Sequence, residues 1–411
     1  MSYDHQLSKP VEGLTAVPLK GARSLVLGKI SNCKRGTLHL TDSFGSRTIG
    51  GSADVTARLT VHDPILYPKL LLRGPIAFGE SYRDGDWSSP DMASVLEFFV
   101  LNRDALTGGV EYLNILRPLA KVYHWSKENT VEGSRENIEA HYDIGNDFYQ
   151  LFLDRTMTYS SAYFAEPEQS LYQAQQVKLE RLARKLNINP GDKVLEIGTG
   201  WGGLTSFLAE NFDCQVTTTT ISQEQYNWTV ERIEKSDYRE NVSVLKKDYR
   251  ELSGDFDRIV SVEMLEAVGE EYLPVFFETL DDLLTSDGRV VLQTIHIRDQ
   301  FYDDYRNNVD FIQRYIFPGG HLPSVGKVSE VLSDTNLTLT DLEEMGEHYV
   351  KTLEKWKNRL LDKSRQIEEL GYDEDFLRLW EYYFCYCQAG FRTGLIGNSQ
   401  LTLEKPRLLA G

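Results

Sequence analysis

Apolar and polar positions change their period along this chain, and the changes divide it. Up to about residue 60, short alternating segments such as Leu38-His-Leu40 and Ala57-Arg-Leu-Thr-Val61 are separated by Gly and Ser, which predicts short strands joined by turns. Pro64–Leu72 and Ser89–Asn102 switch to a helical period; in the second, Met92, Val95, Leu96, Phe99 and Val100 share one face. Gly79–Trp87, between them, reads as a polar turn. Residues 1–105 are therefore expected to form a small α+β domain. Residues 106–136 read as a helical linker that turns polar over Ser126–Glu136.

Residues 137–411 follow a different rhythm. A long helical pattern from Leu171 runs to the turn at Pro190-Gly191, and strand and helix then alternate. Val194–Ile197, Cys214–Ile221, Val242–Leu245, Arg258–Val262 and Arg289–Ile297 read as strands, with helices from Leu204, over Gln223–Ser236 and over Tyr272–Leu284. This alternation predicts an α/β domain, a Rossmann-like open parallel sheet with helices on both faces. Ligands of such sheets bind beyond the C-terminal strand ends, so Gly198–Gly200, Thr220, Asp248 and Glu263–Glu266 should converge.

Composition narrows the class. A chain of 411 residues with 41% hydrophobic content can bury one large core and a smaller one. Cys33, Cys214, Cys385 and Cys387 are too few and too scattered for a disulfide framework, and Cys385 and Cys387, one residue apart, are poorly spaced for a metal. Free thiols in a reducing cytoplasm and no metal are expected. No charged-then-apolar leader and no run of 18 apolar residues occurs, so the protein is expected to be soluble or peripheral to a membrane. The net charge of −18 argues against nucleic acid as a partner. It is uneven: residues 1–125 carry +2 and the remainder −20.

The stretch Val194-Leu-Glu-Ile-Gly-Thr-Gly-Trp-Gly-Gly203 carries the clearest chemistry. A buried strand runs into a turn with glycines at 198, 200, 202 and 203, where backbone can approach a ligand and a helix N-terminus offers free N–H groups. The spacing G-x-G-x-G-G, with Glu196 in the strand and Trp201 in the loop, fits S-adenosylmethionine better than a dinucleotide; an unrelated glycine turn is the alternative. The next strand ends without a carboxylate for a ribose, and Gln225 can take that role or be a surface helix residue. Asp248 can accept from an adenine amino group and Tyr249 can pack on the ring. Glu263 and Glu266, just past a strand end, can attract a cation, orient a small ion or simply favour a helix start. Two segments, 141–149 and 157–164, are rich in aromatics and hydroxyls, which suits a cation as well as a packed cap. The aromatic tail Trp380–Phe391 reads as core packing ahead of a lipid tunnel.

At these segments the chain resembles the cyclopropane-fatty-acyl-phospholipid synthase family. The matching stretches are HYDIGNDFY (141–149), MTYSSAYF (157–164), VLEIGTGWGGL (194–204), TISQEQ (220–225), DRIVSVEMLEAVG (257–269), FIQRYIFPGGHLPS (311–324), HYVKTLEKW (348–356) and WEYYFCYCQAGF (380–391). GESYRDGDW (79–87) is similar to the N-terminal domain of longer members, and the wording EMLEAVG and LQTI is closest to the plant-like branch. The resemblance implies a methyltransferase with a donor site at Tyr159, Ser160, Gly198, Gly200, Thr220, Gln225, Asp248 and Tyr249. It implies an acceptor that is a cis double bond in an acyl chain of a phospholipid, and a bound bicarbonate as base at Ser161, Glu266, Gln293, Ile295 and Tyr349. A cyclopropane product, a homodimer and a cytoplasmic enzyme peripherally associated with the membrane follow as further expectations.

This chain departs from many bacterial members, which have Cys at Ser161, His at Gln293 and His at Ala267. Those departures put the identity of the base, and so the product, in question. Deprotonation elsewhere would give a methylene- or methyl-branched chain from the same cation, with loss of the proton from a neighbouring chain carbon, or later reduction, deciding which. A lipid-binding homologue without turnover and a small-molecule methyltransferase are the remaining readings.

Overall fold

The computed structural model describes residues 18–107 and 144–406. It divides into two compact units, Met1–Ala120 and Lys121–Gly411. The expected linker 106–136 lies outside the described residues save for its first two positions, as do His141, Tyr142 and Asp143.

In the first unit, strands β1 (Thr37–Asp42), β2 (Gly45–Gly50), β3 (Thr56–Val61) and β4 (Trp87–Ser88) form a sheet in the order β2-β1-β3-β4. Leu38 and Leu40, and Ala57, Leu59 and Val61, are buried, as their alternation requires. Two expectations fail here. Leu19–Ile30 is a helix, not part of a run of strands. Gly79–Trp87 is largely helix (Ile76–Arg83) rather than a polar turn. Glu80, Ser81 and Asp86 are buried: Glu80 is held by Arg73 at 2.6 Å, and Trp87 stacks on Phe78 at a 4.2 Å centroid separation.

The second unit is an α/β domain built on seven strands: β5 (Asp192–Ile197), β6 (Cys214–Thr220), β7 (Val242–Lys246), β8 (Phe256–Val262), β9 (Leu284–Ile297), β10 (Thr338–Glu344) and β11 (Ile396–Glu404). Their order is β10-β11-β9-β8-β5-β6-β7; β5 to β9 run parallel, and β11 is antiparallel to both its neighbours. Consecutive residues of one strand serve opposite faces. Leu195, Ile197, Ile259, Val290 and Leu292 pack with the helices Leu273–Leu283 and Val325–Leu332. Val194, Val260 and Val291 pack with the helices Leu171–Leu186 and Gly203–Asn211. A sheet covered on both faces is why its strands read as continuous apolar runs.

The chain order leaves β5 and continues to β6 and β7 on one side, then returns to β8 and β9 on the other. The C-terminal ends of β5 and β8 therefore border the crevice where such sheets hold ligands.

Candidate active site

The glycine loop follows β5 directly. Gly198, Gly200 and Gly202 have φ of +93°, +51° and +75°, conformations that a side chain strains. Gly198 N and Thr199 N donate to Thr219 O at the end of β6, both at 3.0 Å, which fixes the turn to the sheet. A Cβ at Gly202 would lie 2.9 Å from Thr229 Cγ2, whereas one at Gly200 would meet nothing within 4 Å. The loop is thus tight against protein at Gly202 and open at Gly200, as a cradle for a ligand must be. Glu196 lies beneath it, accepting from Thr205 and Thr218 hydroxyls, and burial pushes its carboxyl up to about 7.

Thr220 Oγ1, at the end of β6, donates to Gln225 Oε1 on the helix Gln223–Glu234 at 2.9 Å, and both residues are buried. Asp248, past β7, is also buried. Arg250 holds its carboxylate through Nε at 2.8 Å and Nη2 at 2.7 Å, so the acceptor that the sequence offered to an adenine already has a cation on it. The Tyr249 ring meets Phe276 edge-on at 5.3 Å. Gly198, Gly200, Thr220, Gln225, Asp248 and Tyr249 all lie at or beyond the C-terminal ends of β5, β6 and β7.

The segment 157–164 lies against this crevice. Ser160 Oγ accepts from Lys178 Nζ at 2.8 Å, and Gln175 donates to the Ser160 carbonyl at 2.9 Å. Lys178 is 1% exposed, and desolvation pulls its ammonium down to about 8 against the pull of Glu263, Asp154 and Glu196. The Tyr159 ring joins a cluster with Tyr149 (5.4 Å), Trp356 (5.2 Å) and Phe152 (6.0 Å), and its hydroxyl is 3.2 Å from that of Tyr383. Tyr149 in turn packs on Trp201 of the glycine loop at 4.9 Å. Glycine loop and aromatic cluster are therefore in direct contact. The helix Glu374–Arg392 supplies Trp380, Tyr383 and Phe384 to this cluster, so its rings do pack as core.

The two carboxylates after β8 part company. Glu263 Oε1 accepts from Ser161 N (3.0 Å), Gln293 Nε2 (2.9 Å) and Asn398 Nδ2 (2.7 Å); Oε2 accepts from the Tyr349 hydroxyl at 2.7 Å. Glu266 Oε1 instead accepts from Ile295 N and, at 3.1 Å, from Thr294 Oγ1, while its buried Oε2 has no hydrogen-bond partner. Burial and the nearby Glu263 push the Glu266 carboxyl up to about 8. Of the five residues assigned to a small anion by resemblance, Ser161, Gln293 and Tyr349 converge on Glu263, and Ile295 pairs with Glu266. Sequence reasoning missed the convergence on Glu263, the role of Asn398 and the buried Lys178. Asn398 lies in a polar run of β11 that carries no motif.

The mycolic acid cyclopropane synthetase family matches residues 129–401, two thirds of the chain and all of the site just described. The chain belongs to that family. It is an S-adenosylmethionine-dependent methyltransferase of the mycolic acid cyclopropane synthetase family, with the α/β fold of its relatives. It is 35% identical over 397 residues to the tuberculostearic acid methyltransferase UfaA1 of Mycobacterium tuberculosis, covering 94% of this chain and 92% of that one. It is 36% identical over 356 residues to the cyclopropane-fatty-acyl-phospholipid synthase of Escherichia coli K12, covering 84% and 86%. The crystal structure of the mycolic acid cyclopropane synthase CmaA1 complexed with SAH and CTAB superposes with a TM-score of 0.61 at 33% identity, covering 66% of this chain and 98% of that one.

Proposed function

We propose that this enzyme transfers a methyl group from S-adenosylmethionine to the cis double bond of an unsaturated acyl chain in a phospholipid. The contact between the glycine loop and the aromatic cluster, Trp201 on Tyr149 and Tyr149 on Tyr159, is the observation that carries the reading. When bound, the donor supplies an electrophilic methyl on a sulfonium. Gly200, with open space at its Cβ position, fits backbone closely against it, and the Gly203–Asn211 helix presents its N-terminus. Thr220 and Gln225 suit the ribose, and Asp248 and Tyr249 flank the place for the adenine.

An alkene is a weak nucleophile, and its attack on a methyl leaves a carbocation on the chain. Tyr159, Phe152, Trp356 and Tyr349 give that cation ring faces and keep water away from it. Loss of a proton from the new methyl group closes a cyclopropane ring, the product proposed first. A second reading gives a methylene- or methyl-branched chain from the same cation. It is favoured by the match over nearly the whole chain to a tuberculostearic acid methyltransferase.

The wider reading has residues 1–105 as a lipid-contact domain, 106–136 as a linker and 137–411 as the catalytic domain of a cytoplasmic homodimer that works peripherally at a membrane. Exposed Leu19, Leu25 and Phe44 in the first unit support lipid contact. The deciding experiment is gas chromatography with mass spectrometry of acyl chains after incubation with S-adenosylmethionine and vesicles of cis-monounsaturated phospholipid. Gain of one CH₂ with the alkene replaced by a ring supports the first product. The same gain with an alkene retained moves the assignment to the second, and no gain removes both.

A further inference from the structure

If the function just proposed holds, something must take the proton from the cationic chain. The resemblance assigns this to a bound bicarbonate, but the residues present do not fit one. Three of its assigned donors, Ser161 N, Gln293 Nε2 and the Tyr349 hydroxyl, already hold the Glu263 carboxylate, together with Asn398 Nδ2. Ile295 N, the fourth, is on Glu266. A free anion would have to displace a carboxylate that is covalently tethered in place, and then sit beside it as a like charge.

We infer that Glu263 is itself the base, its side-chain carboxylate standing where the family's small anion would bind. Four donors from four separate segments meet on this one side chain: 157–164, β9, β11 and the Gly346–Asp362 helix. The backbone is committed as well. Glu263 has φ +50°, one of three positive values outside glycine among the described residues, and its N–H donates to Gln293 O at 2.7 Å. A left-handed glutamate immediately after a strand is strained, and strain of this kind persists where the surroundings over-determine it. Tyr349 links the carboxylate to the aromatic cluster: its ring stacks on Phe391 at 4.7 Å and lies edge-on to Trp356 at 6.0 Å.

The chemistry suits a heavily hydrogen-bonded carboxylate. A proton next to a carbocation is so acidic that a weak base takes it, so placement matters more than basicity. In the step, a carboxylate lone pair of Glu263 forms the O–H bond. The released C–H pair forms the new C–C bond of the ring, or a C=C bond in the branched product, and the cation is neutralised. The acid then returns its proton to solvent between turnovers. The four hydrogen bonds also make the oxygens poorer nucleophiles, which disfavours trapping of the cation as an ester. Among the described residues, Glu266, Lys178, Tyr349 and Tyr383 are the titratable groups that face Glu263.

The test compares product formation by the full chain in bicarbonate-free and bicarbonate-supplemented buffer, with S-adenosylmethionine and vesicles of dioleoyl phosphatidylglycerol. Wild type is expected to turn over equally in both. E263Q should lose at least about 100-fold in product formation, the scale of a lost general base, with donor affinity by calorimetry within about twofold. E263G, which relieves the φ strain and vacates the four donors, should be inactive alone and regain at least about tenfold on addition of bicarbonate or formate. A wild type active only with bicarbonate, or an E263Q that keeps its activity to within threefold, overturns the inference while leaving the function intact. A wild type that makes no lipid product in either buffer overturns the function, and this inference with it.

Discussion

Glu266 Oε2 is buried without a hydrogen-bond partner, and burial holds this carboxyl protonated up to about pH 8. Its ordinary value of 4.5 applies once the chain unfolds. The folded state therefore binds the extra proton, and stability declines as pH rises from about 4.5 to about 8, each unit of separation corresponding to about 1.4 kcal/mol as an upper bound. Glu196, raised to about 7 by burial, acts in the same direction. E266Q keeps the shape without the titration, so its melting temperature should gain on wild type from pH 5 to 8 and then hold a constant lead. Parallel melting curves across that range would show that Glu266 does not titrate as described. The glycine loop gives a second prediction at this scale. G200A places a methyl where nothing lies within 4 Å and costs only the φ strain, about 1–2 kcal/mol. G202A adds a collision with Thr229 at 2.9 Å and should be the less stable of the two. If Gly200 faces the methyl donor, G200A loses at least tenfold in donor affinity by calorimetry despite its better fold; equal affinity would place the donor elsewhere.

Among the elements, the helix Glu374–Arg392 packs the most rings. Trp380 is 1% exposed and meets Phe148 edge-on at 4.8 Å and Phe152 at 5.8 Å, so W380A should cost about 3–5 kcal/mol in chemical denaturation. A loss below about 1 kcal/mol would mean that the ring lines a lipid path rather than the core. Elements of this kind were legible in sequence because period and burial agree: Val194–Ile197 and Arg258–Val262 fall inside β5 and β8, both buried on two faces. Other elements were hidden for identifiable reasons. Leu19–Ile30 contains Gly21 and Gly28 and buries only Ala22, Leu27 and Ile30, which leaves little helical signal. Ile76–Arg83 buries Glu80 and Ser81, polar residues whose place depends on Arg73 and the surrounding fold rather than on local pattern. In β11, Asn398, Ser399 and Gln400 are all fully buried because they bond to Glu263, His296 and Gln293, partners about a hundred residues or more away. The glycine loop and the two glutamates could be read from local order. Which glutamate collects the donors depends on β9, β11 and the Gly346–Asp362 helix arriving together, and no local pattern encodes that.

For the whole molecule, charge restricts how an acyl chain can be reached. Residues beyond 125 carry −20, so electrostatics alone repel the catalytic part from an anionic bilayer, while residues 1–125 at +2 do not add to the repulsion. Among the described residues no helix is long and apolar enough to cross a membrane. The peripheral attachment proposed above would then rest on apolar surface, and Leu25, 63% exposed on the Leu19–Ile30 helix, is the most exposed large apolar side chain described. Salt separates the two forces, because screening shortens to about 3 Å at 1 M while apolar burial is not weakened. Sedimentation with vesicles of anionic unsaturated phospholipid should therefore hold or rise as salt is added, where attachment through basic residues would fall. L25D should lower the bound fraction severalfold at every salt concentration and leave the melting temperature within a few degrees of wild type, since the side chain has little core to lose. Binding that collapses with salt, or that ignores L25D, would move lipid contact away from this helix and onto charged surface.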